Sequence, residues 1–317
     1  MLCEEKRPFS LCTHSRLQSP SMASPRFPPM LVLAVGVLAV SFSAIFIRLA
    51  QTEQAVPSLA IAAWRTAIAT LLLLPLALLR RRPELRRLKT ADWLLAALSG
   101  LMLGIHFGTW ITSLAYTSIA SSAVLVSTSP LWVGVAAPFV LHEPLTRWLK
   151  IGLSLAFMGS VVIALGDGLQ LTDSGGAMLG NGLALLGAVA MAVYYLIGRR
   201  LRQRLSLLSY TTVVYGIAAL TLIAYSLISQ VPLLGYSPTA YGLFVLMAVF
   251  PQLIGHSSFN WALAYLPATF VAVTIISEPV GATLLGVLIL GEVPAGVTIA
   301  GSLVVLLGIL VAGISKQ

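Results

Sequence analysis

Glu278 and Arg65 are the two charged side chains that fall well inside apolar stretches long enough to cross a bilayer. The chain has 317 residues but only 19 Lys and Arg and 10 Asp and Glu. A charge in hydrocarbon costs several kcal/mol unless it meets a partner or water, so each marks a place where something polar is bound or moved. Glu278 lies 11 residues past Pro267. That is about 16 Å at 1.5 Å per residue, near the middle of a ~30 Å core. Pro279 follows it, lacks an N–H and disturbs the preceding turn, which frees carbonyls near Ile275 and Ile276. A loosened helix beside a carboxylate suits a cation, a proton or an ammonium group. The structural alternative is a protonated or hydrogen-bonded Glu that only holds helices together. Arg65 stands eight residues past Pro57. Its guanidinium keeps its proton and needs an acceptor: Glu278, helix-end carbonyls or a substrate carboxylate. Snorkelling toward the surface is the alternative. Together the pair suggests a zwitterionic solute such as an amino acid, amino group toward Glu278 and carboxylate toward Arg65.

The elements that position these residues follow from composition. Hydrophobic residues make up 58% of the chain, charged residues 9%, and mean hydropathy is +0.95. Soluble domains carry roughly 25% charged residues. Apolar runs at about 31–50, 57–79, 92–113, 118–141, 146–166, 178–198, 209–229, 240–261, 267–290 and 295–315 predict ten membrane-spanning helices. Residues 1–29 are polar and rich in Pro and Ser, and read as a disordered cytoplasmic tail. Met1, Met22 and Met30 are each a possible start. The first apolar run lacks a small-residue cleavage site and is read as a spanning helix rather than a signal peptide.

When the ten helices alternate in direction, 17 of the 19 basic residues fall at one end of the bundle. They include Arg80, Arg81, Arg82, Arg86, Arg87 and Lys89, then Arg147 and Lys150, then Arg199, Arg200, Arg202 and Arg204. By the positive-inside rule that end is cytoplasmic, with both termini inside a cell (inner or plasma) membrane. Glu53, Asp167, Asp173 and Glu292 fall at the other end. The basic residues flank helices without interleaved aromatics or a binding fold, which argues against nucleic acid. Cys3 and Cys12 lie in the tail, and no metal-ligand or phosphate-loop motif occurs, so neither metal nor cofactor is expected.

A shift of 149 residues brings Ala115-Tyr116 onto Ala264-Tyr265, Pro130 onto Pro279, Glu143 onto Glu292, Gly152 onto Gly301 and Gly159 onto Gly308. Gly36 and Gly187 match at a shift of 151. The expected fold is thus an all-α membrane protein with repeats at 30–166 and 178–315, five helices each. An odd number of crossings inverts the second copy, the architecture of secondary transporters whose site lies near the midplane.

Ser129-Pro130 with Leu141-His142-Glu143-Pro144, and Ser277-Glu278-Pro279-Val280 with Leu290-Gly291-Glu292, resemble the EamA-type branch of the drug/metabolite transporter superfamily. The resemblance covers 28–315. It implies a ten-helix bundle with cytoplasmic termini that transports, often exports, small metabolites such as amino acids. One departure stands out: the first half has Ser129 where the second has Glu278.

Further candidates for lining the solute site are His106 and Trp110 on the third helix, His256, Asn260 and Trp261 on the eighth, and Ser129 and Ser277 beside the helix-breaking Pro130 and Pro279. The two histidines correspond between halves with a one-residue slip; a neutral His held by a carbonyl is favoured over a proton relay. Glu143 and Glu292 are expected to cap the fifth and tenth helices. The expected partners are a small-molecule substrate and the lipid bilayer, with a proton on Glu278 as one route of coupling; oligomeric state is open. An importer of another metabolite class is the alternative. A membrane enzyme would need a nucleophile or acid/base pair, and a channel a polar pore lining, and neither is visible.

Overall fold

The computed structural model describes residues 25, 27–117, 119–166, 175–290 and 295–314. The expected tail lies almost wholly outside the described residues, as do Asp167, Asp173 and Glu292. Among the described residues there are ten helices long and apolar enough to cross a membrane, and no strand. They are α1 Pro29–Thr52, α2 Ser58–Arg80, α3 Thr90–Ser113, α4 Ser121–Val140, α5 Arg147–Gly166, α6 Gly175–Arg202, α7 Leu207–Ile228, α8 Pro238–Ala262, α9 Ala268–Ile289 and α10 Gly296–Ile314. A helix satisfies its backbone polar groups internally, which lipid demands of any spanning segment. The outer faces fit that solvent: Leu79 is 83% and Phe139 80% exposed, a placement that water would penalise.

Helix starts are set by local chemistry. Ser237 caps α8 by accepting from the Ala240 N–H at 3.1 Å. Ser206 caps α7, and is itself held from a distance. A one-turn helix, Arg82–Arg86, follows α2 and carries Glu84, which accepts from the Ser206 N–H at 2.6 Å and the Ser206 hydroxyl at 2.7 Å. The side chains of Arg80, Arg81, Arg82, Arg86, Arg87 and Lys89 around it remain exposed.

The helices pack in pairs around one apolar core. α3 lies against α6 and α7, α2 against α7, α1 against α8 and α9, and α4 against α6 and α9. α5 and α10 form the tightest pair, antiparallel along glycines. A Cβ on Gly152 would sit 2.5 Å from the Gly308 carbonyl oxygen, and one on Gly159 2.8 Å from that of Gly301. Only glycine permits backbones that close.

Three helices are irregular. α4 is interrupted between Val126 and Ser129, and α9 divides into Ala268–Ile275 and Glu278–Leu285 followed by a π-helical turn. α8 holds a π-helical stretch, Ala248–His256, around Pro251, where the missing N–H breaks the α-helical ladder.

Candidate functional site

The two helix breaks set the site. In α9 the last turn of the first segment tightens: the Ile276 N–H bonds the Val273 carbonyl at 3.1 Å and the Ser277 N–H that of Thr274 at 3.2 Å. Glu278 then opens a new helix with Pro279 in its first turn, where a missing N–H costs least. Pro279 thus starts a helix rather than bending a continuous one. In α4, Ser127 and Thr128 form the matching interruption and Pro130 sits in the first turn after it. Ser129 is buried at this break.

Glu278 is the eleventh of the 22 residues of α9. Its side chain is neither sealed nor free but half-buried. The Ser41 hydroxyl of α1 donates to its backbone carbonyl at 3.2 Å and so pins the break. Among the described residues, no hydrogen bond or ion pair within 4.0 Å reaches its carboxylate. Its charge acts on the Arg65 guanidinium and on the Tyr195 hydroxyl, which is fully buried and, among the described residues, without a hydrogen-bond partner.

Arg65 does not snorkel; it turns inward and is 1% exposed. Its Nε and Nη2 donate to Gln252 Oε1 at 3.1 and 2.9 Å, its Nη1 donates to the Ser43 hydroxyl at 3.3 Å, and its Cζ lies 4.4 Å over the Phe107 ring. Each guanidinium nitrogen therefore makes one bond within the bundle, which uses three of its five N–H groups. Arg65 is thus a buried cation whose charge is felt by Glu278 without a direct ion pair among the described residues. The Gln252 side-chain amide nitrogen, like His256 Nδ1, is buried without a hydrogen-bond partner among the described residues.

His106 is buried with Nδ1 3.0 Å from the Gly187 carbonyl, as a carbonyl-held imidazole should be, and its ring stacks on Trp110 at 5.8 Å and 12°. The one-residue slip between the histidines is real in space. Gly187 faces His106 and Thr109, whereas Gly36 faces Gly255 and Ser258, so His106 matches Gly255. His256 turns instead to Phe107 at 5.2 Å and Phe259 at 6.3 Å. Asn260 is not a free ligand: it accepts from the Tyr194 hydroxyl at 2.7 Å and donates to that of Tyr215 at 3.2 Å. Trp261 packs on Tyr265 at 4.6 Å near the basic end, and the Ser277 hydroxyl is spent on the Thr274 carbonyl at 2.5 Å. Phe107 thus joins Arg65, His106 and His256, with Trp110 stacked on His106, while Asn260 and Ser277 hold bonds within the bundle and Trp261 packs on Tyr265.

Glu143 departs from its expected place as the cap of α5. His142 adopts φ 57, which turns the chain back so that Glu143 Oε2 accepts from the Ala268 N–H at 2.9 Å, capping α9 in the other half. Its Oε1 pairs with Arg199 Nε at 2.5 Å, and Arg199 Nη1 donates to the Leu263 carbonyl at 2.8 Å. Arg202 holds the same α8 terminus through the Asn260 carbonyl at 3.0 Å and also bonds the Leu205 carbonyl. Cations on the last carbonyls of a helix suit its negative end.

Comparison with known proteins agrees with this architecture. The EamA-like transporter family model matches residues 28–165 and 178–314. A protein of Bacillus subtilis (strain 168) named Uncharacterized transporter YyaM is 26% identical over 261 residues, covering 79% of this chain and 83% of that protein. An uncharacterized transporter of Archaeoglobus fulgidus is 24% identical over 283 residues, 88% of this chain and 95% of its own. A protein of known crystal structure with 20% sequence identity shares the fold, with a TM-score of 0.75 over 90% of this chain and 96% of that one. With ten spanning helices and a family model that covers both halves, the chain belongs to the EamA-like transporter family and is a multi-pass membrane transporter of small molecules.

Proposed function

We propose that this transporter is a secondary carrier that exports small organic metabolites such as amino acids by alternating access, with the solute's amino group docking at Glu278. The observation that carries the reading is a half-buried carboxylate at a helix break halfway through α9, free of protein partners among the described residues and backed by a sealed cation. A buried charge is tolerated only with a purpose or a partner. Arg65, with each of its nitrogens already bonded to Gln252 or Ser43, supplies the compensating field for Glu278 rather than the first grip on the solute. A proton exchanging on the same carboxylate would couple transport to a gradient.

The rocking motion follows from reading the halves as inverted repeats. Gly152 meets Gly308, and the repeat mate of Gly152, Gly301, meets Gly159, the repeat mate of Gly308. A twofold axis in the membrane plane produces such an exchange of partners. In this reading the basic end and both termini face the cytoplasm across a cell membrane.

The test is counterflow in proteoliposomes of purified protein, with a panel of radiolabelled amino acids and amines. Saturable exchange that Glu278→Gln abolishes, with the variant folded and inserted as the parent, is the expected result. A Glu278→Gln variant that exchanges solute at the parental rate would sink the assignment.

A further inference from the structure

Between Glu278 and the basic end, α4 packs against α9. The α4 segment Ser129–Val140 lies on the α9 segment Ala268–Ile275, and a Cβ on Gly134 would come 3.6 Å from Thr269 Cγ2. The ties that hold this wall differ in kind. Arg199 and Arg202 of α6 clasp the end of α8 through Leu263 and Asn260 carbonyls, contacts that can persist while α4 moves. Glu143, on the link after α4, bridges from that link both to α6, through Arg199 Nε, and to the first residue of α9, through the Ala268 N–H.

We propose that Glu143 and Arg199 are the gate of the basic end: their contact holds the route from Glu278 closed and parts each time the site opens to that face. The inference rests on the carrier reading above and assigns residues to one of its steps. The side chains are 15% and 17% exposed, sheltered enough for a charge-assisted bond and close enough to water for both ions to be rehydrated when it breaks. The preceding His142 stands at φ 57, a left-handed conformation that favours glycine and is held here by what Glu143 grips. Releasing Glu143 removes the α9 cap and the reason for that strained turn together, so closure and opening are two distinct arrangements rather than a continuum.

The experiment places one cysteine at Thr269, which is 2% exposed, in a background with Cys3→Ser and Cys12→Ser, and measures its labelling by a membrane-impermeant maleimide applied to the basic face. Glu143→Gln is expected to speed labelling at least about tenfold, the factor that corresponds to about 1.4 kcal/mol. Arg199→Lys, which keeps the charge, is expected to stay nearer the parent than Arg199→Gln. A labelling rate unchanged by Glu143→Gln overturns the proposal. A second arm does not depend on the stability of charge variants: Gly134→Cys with Thr269→Cys, oxidised to a disulfide, should stop solute exchange and regain it on reduction. Exchange at the parental rate in the oxidised protein also overturns the proposal. Glu278→Gln should abolish counterflow yet leave Thr269→Cys labelling as in the parent. If the parent shows no counterflow while labelling still responds to Glu143→Gln, the carrier reading fails and Glu143 stands as the closure of that end.

Discussion

Replacing Arg65 by methionine separates a positioning cation from a substrate ligand. Methionine keeps most of the side chain's length and its apolar stem, so the change removes charge and hydrogen bonds with little loss of volume. Three charge-assisted hydrogen bonds disappear, two to Gln252 and one to Ser43, together with the contact over Phe107. Bonds of this kind contribute about 1.5–3 kcal/mol each and a desolvated cation–π contact about 2, but burying a guanidinium costs several kcal/mol in return. What remains after the exchange is an unpaired Gln252 Oε1 and an uncompensated Glu278, the situation in which breaking a buried charge network costs about 3–5 kcal/mol. In detergent the melting temperature should fall by roughly 6 °C or more, on a scale of about 2–4 °C per kcal/mol for chains of this order. Fluorescence-detected thermal unfolding of purified protein reads this directly. Arg65→Lys should recover only part of the loss, because an ammonium cannot span Gln252 and Ser43 as the planar fork does. An Arg65→Met protein that melts with the parent but binds solute more weakly would refute the argument and return Arg65 to the substrate.

Three further outcomes follow from local geometry. Gly308→Ala sets a Cβ 2.5 Å from the Ala156 backbone nitrogen, where no flexible side chain can give way, so the α5–α10 pair should lose about 1–3 kcal/mol, seen as a lower melting temperature. Glu84→Ala removes both bonds to Ser206 and should cost about 0.5–2 kcal/mol, the usual range for a lost cap, with faster amide exchange in the first turn of α7. His142→Gly relieves a left-handed residue and should stabilise the closed protein by about 1 kcal/mol, read as slower labelling at Thr269→Cys.

Most of the architecture was legible because lipid imposes it. Runs of about 20 apolar residues with charges at their ends leave no other regular structure, and the ten expected spans agree with α1 to α10 to within a few residues. Glu278 and Arg65 stand out in the sequence for the same reason, as charges inside spans. Their partners do not. Gln252, Ser43 and Phe107 are ordinary residues for a membrane helix, and only the approach of α1, α3 and α8 to α2 brings them onto one guanidinium. The role of Asn260 turned on two tyrosines that lie 66 and 45 residues away in sequence. Glu143 misled because its position after α4 suits a cap of the next helix; the signal against that was His142, whose reversed backbone cannot be seen in a residue string.

The cap that Glu84 places on Ser206 has a consequence for how the chain can be divided. The acceptor is made 122 residues before its donor and belongs to the other half of the duplicated sequence. Trp64 and Glu143 reach across in the same way, to the Leu233 carbonyl and the Ala268 N–H. Two polypeptides cut between α5 and α6 would each insert with helix ends whose amides and carbonyls are left to water, and each would await the missing piece. Side chains of the first half thereby finish helix ends that the second half leaves open.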